Sequence, residues 1–181
     1  HSKGFTIKTT QDFNRSWGLG TSSTLINNIA NWANVDAYKL LELTFSGSGY
    51  DIACAQNDTA ITYQLIDKKP VVTQVNFTPN FKDNIYFVYL NQKQNSRDGI
   101  AAYRSFKGDL KTPISKINRI TEAIVSCNDL RAFETLITEH EQTISEIINQ
   151  LPVKEKLFKD FNGAIKSLGA WGGDFILATS K

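Results

Sequence analysis

A chain of 181 residues is long enough for one large domain or two small ones, and it buries roughly 70% of its unfolded surface without needing disulfide or metal staples. Hydrophobic residues make up 41% and charged residues 21%, an ordinary globular composition that excludes disorder and fibrous repeats. Lys plus Arg is 20 against 18 for Asp plus Glu, so the net charge of +2 makes no electrostatic case for nucleic acid or an anionic membrane.

Cys54 and Cys127 lie far apart in unrelated contexts and read as buried small hydrophobes in a reducing compartment. The longest uncharged run, Ser16 to Val35, holds four Asn and a glycine loop, so no membrane span is expected. No signal peptide heads the chain, and a cytoplasmic protein, monomer or homodimer, is the expectation. The lack of Met and the start at His1-Ser2-Lys3-Gly4 read as a cut end or tag remnant.

In chain order, Phe5 to Thr10 alternates apolar and polar side chains and predicts a half-buried strand. It leads into Trp17-Gly18-Leu19-Gly20-Thr21-Ser22-Ser23-Thr24, two glycines and four hydroxyls ahead of a segment of helical periodicity. That helix is expected to bury Leu25, Ile26, Ile29 and Trp32 or Ala33. A short helix over 36–43 follows, with Asp36 as its cap. A second glycine turn, Ser46-Gly47-Ser48-Gly49-Tyr50-Asp51, runs into Ile52 to Gln56, whose small residues predict a closely packed helix. Strands are expected over 60–66 and 71–77 around a turn at Asp67 to Pro70.

Pro79-Asn80 marks the expected boundary between a first domain, 1–79, and a second, 80–181. The run Ile85 to Leu90 is β-branched and aromatic and predicts a central strand. Ser96 begins a helix to about Phe106. Thr112-Pro113 reads as a cap-then-proline start for a helix carrying Ile114, Ile117, Ile120 and Ile124 on one face. A longer helix over 129–151 follows, stopped by Pro152, and the tail reads strand, glycine turn, strand. Strands and helices mixed without regular alternation predict an α+β chain of two lobes.

The first loop offers the free N–H groups of a helix start and about half a positive charge from the macrodipole. It is therefore either an anion seat or an ordinary capped turn. It lacks the Lys of G-x-x-x-x-G-K-[ST], which excludes a Walker-type site. Asp51, at the second helix start, is held ionised by the dipole and can accept a proton from a hydroxyl attacking a γ-phosphoryl group; the alternative is a first-turn Asp that only stabilises its helix. The loop after the 85–90 strand supplies Lys93, Ser96 and Arg97 as candidate substrate-side groups. The third turn, Gly169 to Gly173, is flanked by Lys166 and Asp174. His140, between Glu139 and Glu141 on a face read as solvated, is taken as structural. Two His and two separated Cys make a zinc site unexpected.

Taken together, these segments resemble the GHMP small-molecule kinases, a family that includes galactokinase, homoserine kinase, mevalonate kinase and phosphomevalonate kinase. Gly18-Leu19-Gly20-Thr21-Ser22-Ser23 resembles their G-L-G-S-S-A phosphate loop, and Gly47-Ser48-Gly49-Tyr50-Asp51-Ile52-Ala53 resembles the G-S-G-F-D-V-A segment of phosphomevalonate kinases. Asn91, Lys93 and Ser96 are similar to an N-x-K…S/T pattern, and Lys166 to Asp174 is similar to K-x-S-G-A-G-G-G-D. Gly49-Tyr50-Asp51-Ile52-Ala53 is the string that names the GYDIA group within the family.

The resemblance implies an α+β fold: a left-handed β-α-β lobe of ribosomal-protein type that binds ATP, then a ferredoxin-like α/β sandwich lobe. It implies ATP-dependent phosphoryl transfer to a hydroxyl or phosphate of a small metabolite of mevalonate or phosphomevalonate type. A non-catalytic relative that binds a nucleotide or a partner is the alternative. Gly18, Leu19, Gly20, Thr21, Ser22 and Ser23 would hold the ATP phosphates, with Ser22 on Mg2+ and Glu42 as a second magnesium candidate. Asp51 would be base or orienter, and Lys166, Gly169, Ala170, Gly172 and Gly173 would brace the phosphate loop. The resemblance also implies a further stretch ahead of Phe5, so the chain is expected to cover the later part of the first lobe and to be inactive alone. Trp171 departs from the pattern, standing where the family has glycine.

Overall fold

Three aspartates start three of the helices in the computed structural model, which describes residues 4–92, 96–169, 171 and 174–181. Asp36 Oδ1 accepts the N–H groups of Tyr38 at 2.8 Å and Lys39 at 3.2 Å, opening α2 (Ala37–Thr44). Asp129 Oδ1 accepts that of Ala132 at 2.8 Å and opens α6 (Leu130–Ile148). Asp109 accepts from Lys111 and Thr112 at the head of α5 (Lys111–Val125), so the cap expected from Thr112 comes from the aspartate instead. The stop of α6 is Asn149, left-handed at φ 51°, whereas Pro152, expected to end that helix, stands just ahead of α7 (Val153–Leu157).

The first half holds α1 (Thr21–Ala33), α2 and α3 (Tyr50–Ala55) around Ile26, Ala30, Ala37, Leu41 and Ile52. The buried face of α1 is Ile26, as expected, with Asn27 and Ala30; Ile29 and Ala33 are half-buried, and Leu25 and Trp32 are exposed. Packing against both α2 and α3 turns the helix, and Asn27 is admitted because its Oδ1 accepts a hydrogen bond from Gln56 Nε2 at 3.1 Å. β1 (Ile61–Ile66) and β2 (Lys69–Gln74) form an antiparallel hairpin as expected, with a tighter turn. Asp67 and Lys68 both take positive φ, 48° and 63°, which makes a two-residue loop and leaves Pro70 inside β2.

The second sheet is antiparallel in the order β3-β5-β4, built from β3 (Ile85–Tyr89), β4 (Ile165–Ser167) and β5 (Phe175–Thr179). The run at 85–90 is therefore a strand but an edge one, with Tyr86, Phe87 and Val88 exposed. Its apolar composition reports β preference, and β5 takes the centre because it pairs on both sides. Helices α5 and α6 pack on one another beside this sheet, and α4 (Ser96–Ser105) contacts α6. Phe81, Phe133, Ile137 and Ala164 form one buried cluster, and Val153, Ile165, Ile176 and Ala178 form another.

Two small antiparallel sheets beside helices make the chain α+β. Residues 5–10 form no strand: Phe5 and Ile7 are exposed, and no described strand runs beside them. Phe5 instead sets its ring edge-on to Trp32, 5.4 Å between centroids. Both cysteines are free, but Cys54 is exposed and Cys127 half-buried, against the expectation that both are buried. Among the described residues no helix is long and apolar enough to cross a membrane.

Candidate functional site

The first glycine loop folds through a single turn of 3-10 helix at Arg15–Trp17, then Gly18 and Gly20 at φ 67° and 68°. A left-handed N-cap at Gly20 is open to glycine at little cost, and it offers no side chain to cap α1. Thr21 and Ser23 are half-buried and Ser22 is exposed, so the first turn keeps N–H groups and hydroxyls together at one helix end. Leu19 faces solvent beside them.

The loop does not stand alone. A Cβ added to Gly18 would lie 2.1 Å from Asp174 Oδ2 and 2.4 Å from Asp174 Cγ, so the backbone there is in close approach to the carboxylate that ends the third turn. Trp17 stacks beside it against Tyr89, 6.2 Å between centroids, and Phe175, 6.3 Å. The Leu90 N–H donates to the Asp174 carbonyl at 2.9 Å. The exit of β3, the third turn and the first loop therefore share one end of the three-stranded sheet. Asp174 Oδ1 is buried there with no hydrogen-bond donor among the described residues.

Asp51 is in the first turn of α3, which rests on α1 through Ile52 and the Gln56–Asn27 hydrogen bond. Part of Asp51 meets solvent, yet protein crowds its carboxylate enough that desolvation raises its pKa. The direction is opposite to the downward pull expected of the helix dipole, and its cause is loss of water around the carboxylate. The neighbouring turn is clasped by two tyrosines that sequence reasoning did not single out. The Tyr63 hydroxyl donates to the Ser48 carbonyl, and a Cβ on Gly49, at φ 82°, would meet the Tyr38 ring at 2.8 Å. Burial, then the Cys54 thiol, pushes the Tyr50 hydroxyl up to about 12.

Lys166 is committed elsewhere. Its Nζ lies 3.7 Å from Glu141 Oε1 and donates to the Ser167 carbonyl at 3.1 Å, while Ser167 Oγ donates to Glu141 Oε2 at 2.8 Å. Burial lowers the Lys166 pKa and the Glu141 charge pulls it back up. The face of α6 around His140 is not solvated: Glu141 is 7% exposed and burial drops the His140 pKa to about 3, with the Lys166 charge adding to the effect. No sequence signal separates Glu141 from its exposed neighbours except its spacing from the apolar positions of α6.

Gly169 is left-handed at φ 62° with no described residue where its Cβ would stand, and Trp171 takes φ 57°, the conformation a glycine would supply. Glu42 is exposed on α2, and among the described residues no three His, Cys, Asp or Glu side chains gather as a metal cage. Lys93, Ala170, Gly172 and Gly173 lie outside the described residues, as do the side chains of Ser96 and Arg97. The chain matches no family model, no curated protein and no solved structure.

Proposed function

We propose that the chain carries an ATP-dependent phosphoryl-transfer site for a small metabolite bearing a hydroxyl or phosphate. The observation that carries this reading is the close approach of Gly18 to Asp174, which brings a glycine-opened helix start and the end of the third glycine turn to one place. Such a helix start favours phosphate through its N–H groups and dipole. In the transfer, the acceptor oxygen bonds to the γ-phosphorus, the bond from that phosphorus to the β,γ-bridging oxygen breaks, and ADP leaves. The acceptor proton passes to Asp51, whose raised pKa makes it a stronger base than an ordinary aspartate.

Magnesium phosphates need only one or two protein groups beside the phosphate oxygens; the exposed Ser22 hydroxyl and the undonated Asp174 Oδ1 are the oxygens of these two turns that would hold such an ion. Held by these groups, a magnesium ion would supply charge neutralisation for the phosphates. Two free thiols support a cytoplasmic setting. A mevalonate-like acceptor rests on the motif resemblance alone.

Trp171 favours a second reading. A bulky left-handed residue stands in the third turn where the resemblance expects glycine, a departure that suits a non-catalytic relative that binds a nucleotide or a partner. Titration with ATP and magnesium, combined with phosphate transfer to a panel of hydroxy acids, sugars and phosphorylated alcohols, separates the readings. Asp51→Asn is expected to keep ATP affinity within about twofold and to lower turnover by about 10²–10⁴. Binding without transfer in the unaltered chain selects the second reading, and absence of ATP binding removes the first and leaves only the partner-binding form of the second.

A further inference from the structure

Beyond the glycine turns, a cavity of about 80 Å³ opens where the C-terminal half of α6 meets α7 and the end of β4. On the scale where one water occupies about 10–15 Å³, this is room for roughly five to eight waters or a ligand of about seven heavy atoms. Its wall mixes aliphatic and aromatic side chains, Ile144, Ile148, Leu151 and Trp171 among them, with polar ones such as Ser145 and Gln150, and it carries one charge of each sign. The acid is Glu141, whose Oε2 is satisfied by Ser167 while Oε1 has no hydrogen-bond donor among the described residues and only the Lys166 ammonium at 3.7 Å. The base is Lys156, exposed at the rim.

We propose that this cavity binds a short aliphatic acid with a hydrogen-bond donor at its far end, an ω-hydroxy or ω-amino acid, the donor meeting Glu141 and the acid group meeting Lys156. Each part of the ligand answers an observation. A buried carboxylate oxygen without a donor is costly, and a ligand O–H or N–H relieves that cost. Lys166 already offsets the charge of Glu141, so Lys156 is the charge left over and selects an anion. The aliphatic side chains among the lining residues take a methylene stem. This site does not depend on the phosphoryl-transfer reading, since none of its polar groups is assigned to that reaction.

The test is ligand-detected NMR on the full chain with 4-hydroxybutyrate and 4-aminobutyrate, against butyrate, which lacks the donor, and 1-butanol, which lacks the acid. At least one of the two bifunctional acids is expected to bind about fivefold or more tightly than either control, as one added hydrogen bond allows, and the better of the two identifies the donor. Leu151→Trp, at an exposed position, narrows the mouth, and Lys156→Glu reverses the rim charge; each should weaken binding by about fivefold or more. Failure of both acids to bind at millimolar concentration overturns the proposal. So does equal binding of butyrate or butanol, or unchanged binding in either variant.

Discussion

Thr179 shows how much one hydroxyl can hold. It is fully buried at the end of β5, where its Oγ1 accepts the Ala164 N–H at 2.8 Å and donates to Glu134 Oε1 at 2.6 Å. Thr179→Val keeps the shape and removes the hydroxyl, leaving a backbone donor and a carboxylate short of partners. The expected loss is about 1–3 kcal/mol, read as a fall of several degrees in Tm, and Thr179→Ser should recover most of it. An unchanged Tm in the valine variant would show that water or rearrangement satisfies both groups. Nothing in the string Leu177-Ala178-Thr179 announces this role. The strand itself is legible from its β-branched and apolar residues, but a threonine at a strand end is usually a surface residue, and only the fold places Glu134 opposite it.

Among the elements, α6 was the most readable in outline and the least readable in detail. Its period puts Phe133, Ile137 and Ile148 inward, as the structure has them. The same face carries Glu134 and Glu141, two turns apart and at core spacing, which hydropathy alone assigns to solvent. They are accommodated because Thr179 and Ser167 donate to them. His140 shares the burial, with its Nδ1 undonated and unaccepted among the described residues. Its pH behaviour follows. An unfolded His takes up a proton near pH 6.5, whereas the folded one, at about 3, does not, so between those values the unfolded chain binds more protons and stability falls as pH falls. His140→Leu removes this linkage. In urea unfolding at stepped pH, the stability of the unaltered chain relative to the variant should fall by up to about a few kcal/mol between pH 7 and 4. Parallel pH curves for the two proteins would show that His140 is not held neutral.

At the scale of the whole molecule, glycine spacing marked the turns and Asp36 and Asp129 marked two helix starts. Those are local decisions, made within a few residues of chain, and they were legible for that reason. Residues 5–10 had the right alternation for a strand and form none, because pairing is decided by a partner and not by pattern. The approach of Gly18 to Asp174, across more than 150 positions, belongs to the same class of fact and is the contact on which the proposed site depends. It can be measured as a coupling. Gly18→Ala places a Cβ against the Asp174 carboxylate and also forces alanine into a left-handed conformation, so it should destabilise the chain by more than the roughly 1–2 kcal/mol of backbone strain alone. Asp174→Ala removes the two closest atoms, leaving its own Cβ 2.9 Å away, a contact that a small shift can relieve. In a double-mutant cycle, Gly18→Ala should therefore cost less in the Asp174→Ala background, by about 0.5–3 kcal/mol, the range seen for residues in contact. Additive effects would mean that the two turns are apart in solution, and with them the site built on their meeting.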